Sequence, residues 1–214
     1  PLISFLLKNG IKVVARDRKD IREIESADTL KNSGVTLICG EDYLRDLNED
    51  IIFRTPGMRP DVPQLQAARE KGSVITSEME VFFDVCPCSI IAVTGSDGKT
   101  TTTTMIAELL RASGRTVHVG GNIGKPLLVE AGEMNPADSV VLELSSFQLM
   151  TMQKSPHIAV ITNLSPNHLD MHKGMEEYVA SKENIFLHQS AGDIAVFNLD
   201  NDITREQATR ALGE

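Results

Sequence analysis

The sequence predicts an α/β protein of two successive parallel-sheet domains, and three observations carry that expectation. Short, β-branched apolar runs alternate with segments of helical periodicity from residue 11 to residue 197. One of those runs, Ile90 to Val93, breaks into the turn Gly95-Ser96-Asp97-Gly98 and then into a threonine-rich helix start. The alternation changes character around Ser77, where a helix from Glu78 to Val85 leads through Pro87 into that strand. A domain boundary placed there gives residues 1–77 and 78–214. Strand-helix alternation of this kind implies a mainly parallel sheet covered by helices on both faces, so both domains are expected to be Rossmann-like.

In the first domain, Pro1 to Lys8 reads as the tail of a helix, with Gly10 where a left-handed residue would cap it. Strands are expected at Ile11 to Ala15, Val35 to Cys39, Ile51 to Phe53 and Ser73 to Thr76. Between them fall a polar helix from Asp20 to Asn32, with Ile21, Ile24 and Leu30 turned inward and Gly34 ending it, and a short helix from Val62 to Lys71. In the second domain, strands are expected at residues 90–94, 116–119, 139–142, 158–163 and 193–197. The helices between them are expected at residues 99–112, 126–131, 146–153 and 175–188.

Composition narrows the function classes. With 214 residues, 41% of them apolar, the chain can fill a sizeable core. A net charge of −9 argues against nucleic acid or an anionic membrane as partner, so an anionic ligand requires a local positive site. No apolar run approaches the roughly 20 residues of a membrane span, and no signal segment is evident, so a cytoplasmic setting is expected, with no obligate protein partner. The three cysteines, Cys39, Cys86 and Cys88, are expected to be reduced thiols. Cys86-Pro87-Cys88 lacks the second ligand pair that a metal site would need.

A strand that turns into a helix through glycines points unpaired amides and a positive dipole end at one place, and a polyanion suits that place. Gly95, Gly98, Lys99 and Thr100 fit the general phosphate-loop pattern, although Val93 stands where that pattern has its first glycine. Gly95, Ser96, Asp97, Gly98, Lys99, Thr100 and Thr101 are the candidate phosphate-binding residues of an ATP site. Lys99 supplies a point charge for the β and γ phosphates and the Thr100 hydroxyl a ligand for Mg²⁺. Glu143 closes the apolar run Val140 to Leu142, where a carboxylate can help hold the Mg²⁺ that bridges nucleotide phosphates. His168 and His172 are four residues apart with an acid between, but the third ligand and glutamate base of a hydrolytic zinc site are absent from the pattern. His118 and His188 read as core or surface residues.

Five blocks in one order resemble the Mur ligases of peptidoglycan synthesis: T-G-S-D-G-K-T-T from Thr94, G-G-N-I-G-K-P from Gly120, L-E-L-S-S-F-Q-L from Leu142, N-L-S-P-N-H-L-D-M-H from Asn163 and Y-V-A-S-K from Tyr178. The second and third blocks favour the branch that uses D-glutamate. The resemblance implies an ATP-dependent amide ligase joining D-glutamate to UDP-N-acetylmuramoyl-L-alanine through an acyl phosphate. It makes residues 78–214 a truncated central ATP-binding domain and residues 1–77 a partial UDP-substrate-binding domain. It further implies that an opening strand and a third domain belong to the complete enzyme, and that this stretch alone does not complete the reaction.

The resemblance also assigns roles. Lys99, Glu143, His168 and Lys182 fall on catalytic positions, with Thr100 and Glu143 at one Mg²⁺ and His168 and a carbamate on Lys182 supporting a second. Asn122, Ser145 and Gln148 fall on positions lining the muramoyl part of the substrate, and Asp17 where uridine is contacted. Read without the resemblance, Lys182 is a surface lysine on an amphipathic helix. A sibling Mur or folylpolyglutamate-type ligase, or a phosphate-loop module that binds nucleotide without catalysis, are the rival readings.

Overall fold

The computed structural model describes residues 1–166 and 172–212. It divides into two compact units, residues 1–54 with 58–76 and residues 55–57 with 77–214. No described helix is long and apolar enough to cross a membrane.

The first unit runs through α1 (Leu2–Lys8), β1 (Val14–Asp17), a 3-10 turn (Ile21–Glu23), α2 (Ala27–Asn32), β2 (Thr36–Cys39), β3 (Ile51–Phe53), α3 (Pro63–Glu70) and β4 (Val74–Thr76). Gly10, at φ +72°, closes α1: its own N–H reaches Leu7 O at 3.0 Å and the next N–H, of Ile11, reaches Leu6 O at 3.0 Å. That cap takes up Ile11, which is why the first strand starts at Val14 and not at residue 11. The helix expected over 20–32 is broken. Asp20 and Glu23 form a reciprocal capping box around a single turn, and Ile24 leaves it in extended conformation.

All pairing in this unit is parallel, as expected, but it forms two separate ribbons, β1 with β2 and β3 with β4, in place of one sheet. Each ribbon is a strand-helix-strand unit closed on its own crossover helix. Leu47, Leu65 and Ala68 form one core cluster, against which Leu44, Ile52, Met58, Val62 and Ile75 pack.

The second unit contains α4 (Glu78–Val85), β5 (Ser89–Thr94), α5 (Lys99–Ala112), β6 (Val117–Gly121), a 3-10 segment (Leu128–Glu133), β7 (Ser139–Glu143), α6 (Ser146–Leu149), β8 (Ile158–Ile161), α7 (Met175–Glu183), β9 (Ile194–Phe197) and α8 (Asp202–Ala208). Five strands form one wholly parallel sheet in the order β6-β7-β5-β8-β9. Residues 90–94 of β5 and all of β7 are buried, as a central strand covered on both faces must be. Ala92, Val93, Val140, Val141 and Leu142 are fully buried. Burying a Val- or Leu-sized side chain contributes roughly 1.5–3 kcal/mol, so this pair of strands anchors the unit.

Three expected helices are shorter or tighter than their sequence pattern. Residues 128–133 wind as 3-10, α6 stops at Leu149, and α7 stops at Glu183 with tight turns beyond it. The three cysteines are free thiols. Burial pushes the Cys88 thiol up to about 11, and it donates to Asn135 O at 3.2 Å, an inert core role.

Candidate functional site

The sheet order places β5 between β7 and β8, and the outgoing connections of β5 and β8 run to opposite sides, to β6 and to β9. The carboxyl ends of these three strands therefore meet at the crevice where parallel sheets hold ligands. The turn after β5 fills that crevice. Gly95 sits at φ +150°, and a Cβ there would lie 2.0 Å from Thr162 Oγ1, so only glycine lets the loop pass so close to the end of β8. Gly98, left-handed at φ +77°, is the N-cap of α5.

The first bond within that helix runs from Thr102 N to Gly98 O at 3.0 Å. The amides of Gly98, Lys99, Thr100 and Thr101 are thus the four that the helix itself leaves unpaired, and they form the anion-binding end. The two amides before them are held by β8's extension: Ser96 N donates to Asn163 O at 2.8 Å and Asp97 N to Asn163 Oδ1 at 3.0 Å. Asn163 Nδ2 also donates to Asp97 O at 3.1 Å, as does Thr162 Oγ1 at 2.6 Å. Ser96 Oγ accepts from Ser165 N at 2.9 Å, donates to Ser165 O at 3.0 Å and lies 2.9 Å from Tyr178 Oη. Its hydroxyl is saturated by protein partners, so the Ser96 side chain serves to shape the loop.

Two lysines converge on the loop. Lys99 Nζ donates to Ser96 O at 2.8 Å. Lys182, 2% exposed on α7, donates to Gly95 O at 3.0 Å and to Thr94 Oγ1 at 3.1 Å, with its nitrogen 4.9 Å from the centre of the Tyr178 ring. The surface position expected from its helical pattern is corrected: Lys182 is buried because Tyr178, four residues earlier on the same helix face, carries it over the phosphate loop. Burial, reinforced by the positive charge of Lys99 and opposed by Glu143, lowers its pKa to about 7.

The metal candidates meet at the end of β7. Glu143 is 2% exposed. Its Oε2 accepts from Thr100 Oγ1 at 2.6 Å and its Oε1 from Asn122 Nδ2 at 2.8 Å. A threonine hydroxyl and a carboxylate beside a phosphate loop are hard oxygen donors, and this set fits Mg²⁺ completed by phosphate and water. Among the described residues no three His, Cys, Asp or Glu side chains group as a metal site. His168 lies outside the described residues.

The remaining substrate candidates occupy different settings. Ser145 and Gln148 bind one another: Gln148 Oε1 accepts from Ser145 N and Ser145 Oγ, both at 3.0 Å, in a capping box that starts α6. Asp17 belongs to the other unit, where it ends β1 and accepts from Lys19 N at 2.8 Å. His118 pairs with Asp138 at 2.9 Å, away from the strand ends that hold the loop. Sequence reasoning passed over Thr162, and Asn163, Ser165 and Tyr178 entered it only as a strand-end residue or as members of the resemblance blocks, with no contact to the loop assigned. Only the Tyr178–Lys182 spacing carried a local signal, whereas the others meet the loop across 65 to 69 residues.

A wholly parallel sheet, a glycine-bounded loop opening a helix, and a hydroxyl-carboxylate pair at the adjacent strand end define an α/β unit with the geometry of a phosphate loop. The chain belongs to the Mur ligase family: residues 93–213 match the Mur ligase middle domain.

Over its full length the chain is 56% identical to the UDP-N-acetylmuramoylalanine–D-glutamate ligase of Acetivibrio thermocellus and 56% identical to that of Clostridium kluyveri. It spans 46% and 47% of those proteins, about half their length. Among solved structures, a UDP-N-acetylmuramate:L-alanyl-gamma-D-glutamyl-meso-diaminopimelate ligase from Neisseria meningitides shares the fold at TM-score 0.61 and 16% identity, over 98% of this chain and 70% of that one. A MurF ligase from Thermotoga maritima, solved with ADP, shares it at TM-score 0.53 and 19% identity, over 94% of this chain and 49% of that one.

Proposed function

We propose that this chain is the substrate-nucleotide-binding and ATP-binding part of a ligase that adds D-glutamate to UDP-N-acetylmuramoyl-L-alanine in peptidoglycan precursor synthesis, at the expense of ATP. The single observation that carries the ATP half is the Thr100–Glu143 contact of 2.6 Å beside the phosphate loop, with Lys99 on the same turn. The identity of 56% to D-glutamate ligases supports the choice of amino acid. Residues 1–77 are read as the part that receives the UDP moiety, with Asp17 at the ribose or uracil, and residues 78–214 as the part that holds ATP. A cytoplasmic setting goes with both nucleotides.

In this reading the unpaired amides of Gly98 to Thr101 bind the phosphates, and Lys99 swings from Ser96 O to the γ-phosphoryl group. The substrate carboxylate attacks that group, ADP leaves, and the amine of D-glutamate displaces phosphate from the resulting acyl phosphate. Thr100 and Glu143 would hold Mg²⁺, which when bound neutralises phosphate charge. Lys182, whose pKa near 7 leaves much of its amine neutral at physiological pH, is able to take up CO₂ and release a proton. The carbamate so formed would offer oxygens, together with His168, to a second Mg²⁺. Asn122, Ser145 and Gln148 would face the muramoyl group.

The test is phosphate release by the full-length protein given ATP, Mg²⁺, UDP-N-acetylmuramoyl-L-alanine and one amino acid at a time. Release with D-glutamate is expected. Release with another amino acid would favour a sibling ligase, and ATP binding without release under any combination would favour a non-catalytic nucleotide module.

A further inference from the structure

We infer that Asn122 is a positioning residue for the Glu143 carboxylate and acts on the metal end of the site; the inference rests on the reading of Thr100 and Glu143 as Mg²⁺ donors. The grip is double. Asn122 N donates to Glu143 O at 2.7 Å, and Asn122 Nδ2 donates to Glu143 Oε1 at 2.8 Å. The register pairs Gly121 with Glu143 across β6 and β7. Gly121 is left-handed at φ +96°, and a Cβ there would fall 2.1 Å from Glu143 O, so the backbone of β6 comes as close to Glu143 as only glycine allows.

The two carboxylate oxygens thereby have separate duties. Oε1 is held by Asn122 from the β6 side, and Oε2 is left facing Thr100, where a cation that also touches the phosphates would sit. A carboxylate with one oxygen fixed from behind keeps a single orientation, and such outer partners tune metal affinity. With one N–H of its amide committed to Glu143, Asn122 keeps its other N–H and its carbonyl oxygen for a sugar or lactyl group.

The experiment compares Asn122→Ala with the parent in the full-length protein. The affinity of a fluorescent ADP analogue is measured with and without Mg²⁺, and KM for UDP-N-acetylmuramoyl-L-alanine is measured at saturating Mg²⁺. Positioning predicts that the Mg²⁺-dependent gain in affinity falls by about 10- to 100-fold while the metal-free affinity is unchanged, whatever happens to that KM. A raised KM with the Mg²⁺ gain intact overturns the inference and returns Asn122 to the substrate. Glu143→Gln is the control. If it too leaves the Mg²⁺ gain intact, the metal reading itself falls; if it abolishes the gain while Asn122→Ala does not, only the positioning role falls.

Discussion

The hydroxyl of Tyr178 lies 2.9 Å from that of Ser96, so helix α7 is tied to the phosphate loop through one oxygen-oxygen contact between residues 82 positions apart. Burial and the nearby Asp97 charge raise the Tyr178 pKa against the lowering effect of that bond, so the phenol stays a neutral donor. Tyr178→Phe should destabilise the protein by about 1 kcal/mol, and Ser96→Ala by more, because it also leaves Ser165 N–H without its acceptor. A double-mutant cycle by urea unfolding should give a coupling near ~1 kcal/mol. Additive losses would show that the two hydroxyls do not hold the loop together.

Lys99 Nζ donates to Ser96 O at 2.8 Å. If its charge serves the transferring phosphoryl group, Lys99→Ala should cut turnover of the full-length enzyme by about 10²–10³-fold, since such a group acts chiefly in the transition state. The KM for D-glutamate should change little. Near-normal turnover in steady-state phosphate release would remove Lys99 from the chemistry.

The central strands of the second unit, β5 and β7, were legible in sequence because they are buried on both faces and so announce themselves as continuous β-branched runs; both begin and end within a residue of where the pattern puts them. Helices at 20–32, 146–153 and 175–188 were overextended because periodicity does not see the capping box at Asp20 or the turns after Leu149 and Glu183. The phosphate loop, with Thr100, Glu143 and Asn122, was readable as local motifs, and the fold brings those three side chains into one hydrogen-bonded row. The burial of Lys182 and the latching of the loop by Thr162, Asn163 and Ser165 were not. Both depend on contacts between α7, β8 and β5 that no short window contains.

The carbamate reading of Lys182 makes a chemical prediction. Lys182→Ala should be almost inactive in the full-length enzyme, and a short carboxylate such as formate or acetate should restore part of the activity by standing in for the missing oxygens. Normal activity in the variant, measured as phosphate release, would take Lys182 out of the site.

Lys182 also leaves a mark on stability. Its pKa falls from 10.5 to about 7 on folding, because charging a buried amine costs more than charging a solvated one. Between those values the unfolded chain binds the extra proton, so this group makes stability rise with pH across the window. Its cost is fully present below about pH 7 and gone above about pH 10.5. The slope from one such group is at most about 1.4 kcal/mol per pH unit. Urea unfolding from pH 6 to 9.5 should therefore show the parent gaining stability relative to Lys182→Met above pH 7. Parallel curves would mean that the amine titrates alike in both states.

Gly121 offers the sharpest mechanical test of the β6–β7 junction. An added Cβ would meet the carbonyl oxygen of Glu143 at 2.1 Å and its carbon at 3.1 Å, backbone atoms that cannot turn aside, and φ at +96° is strained for any L side chain. Gly121→Ala must then push the ends of β6 and β7 apart, which carries Asn122 away from Glu143 and lets the carboxylate lose its orientation toward Thr100. The phosphate loop lies on β5 and is latched from β8, so it should survive. The expected result is a loss of about 1–3 kcal/mol in stability together with loss of the Mg²⁺-dependent gain in nucleotide affinity, while metal-free nucleotide binding persists. Gly132→Ala, where a Cβ meets nothing within 4 Å and φ is not positive, is the matched control and should change stability by no more than about 0.5 kcal/mol. If Gly121→Ala keeps its Mg²⁺ response, the approach of β6 to Glu143 is a packing feature and the metal end of the site is held from elsewhere.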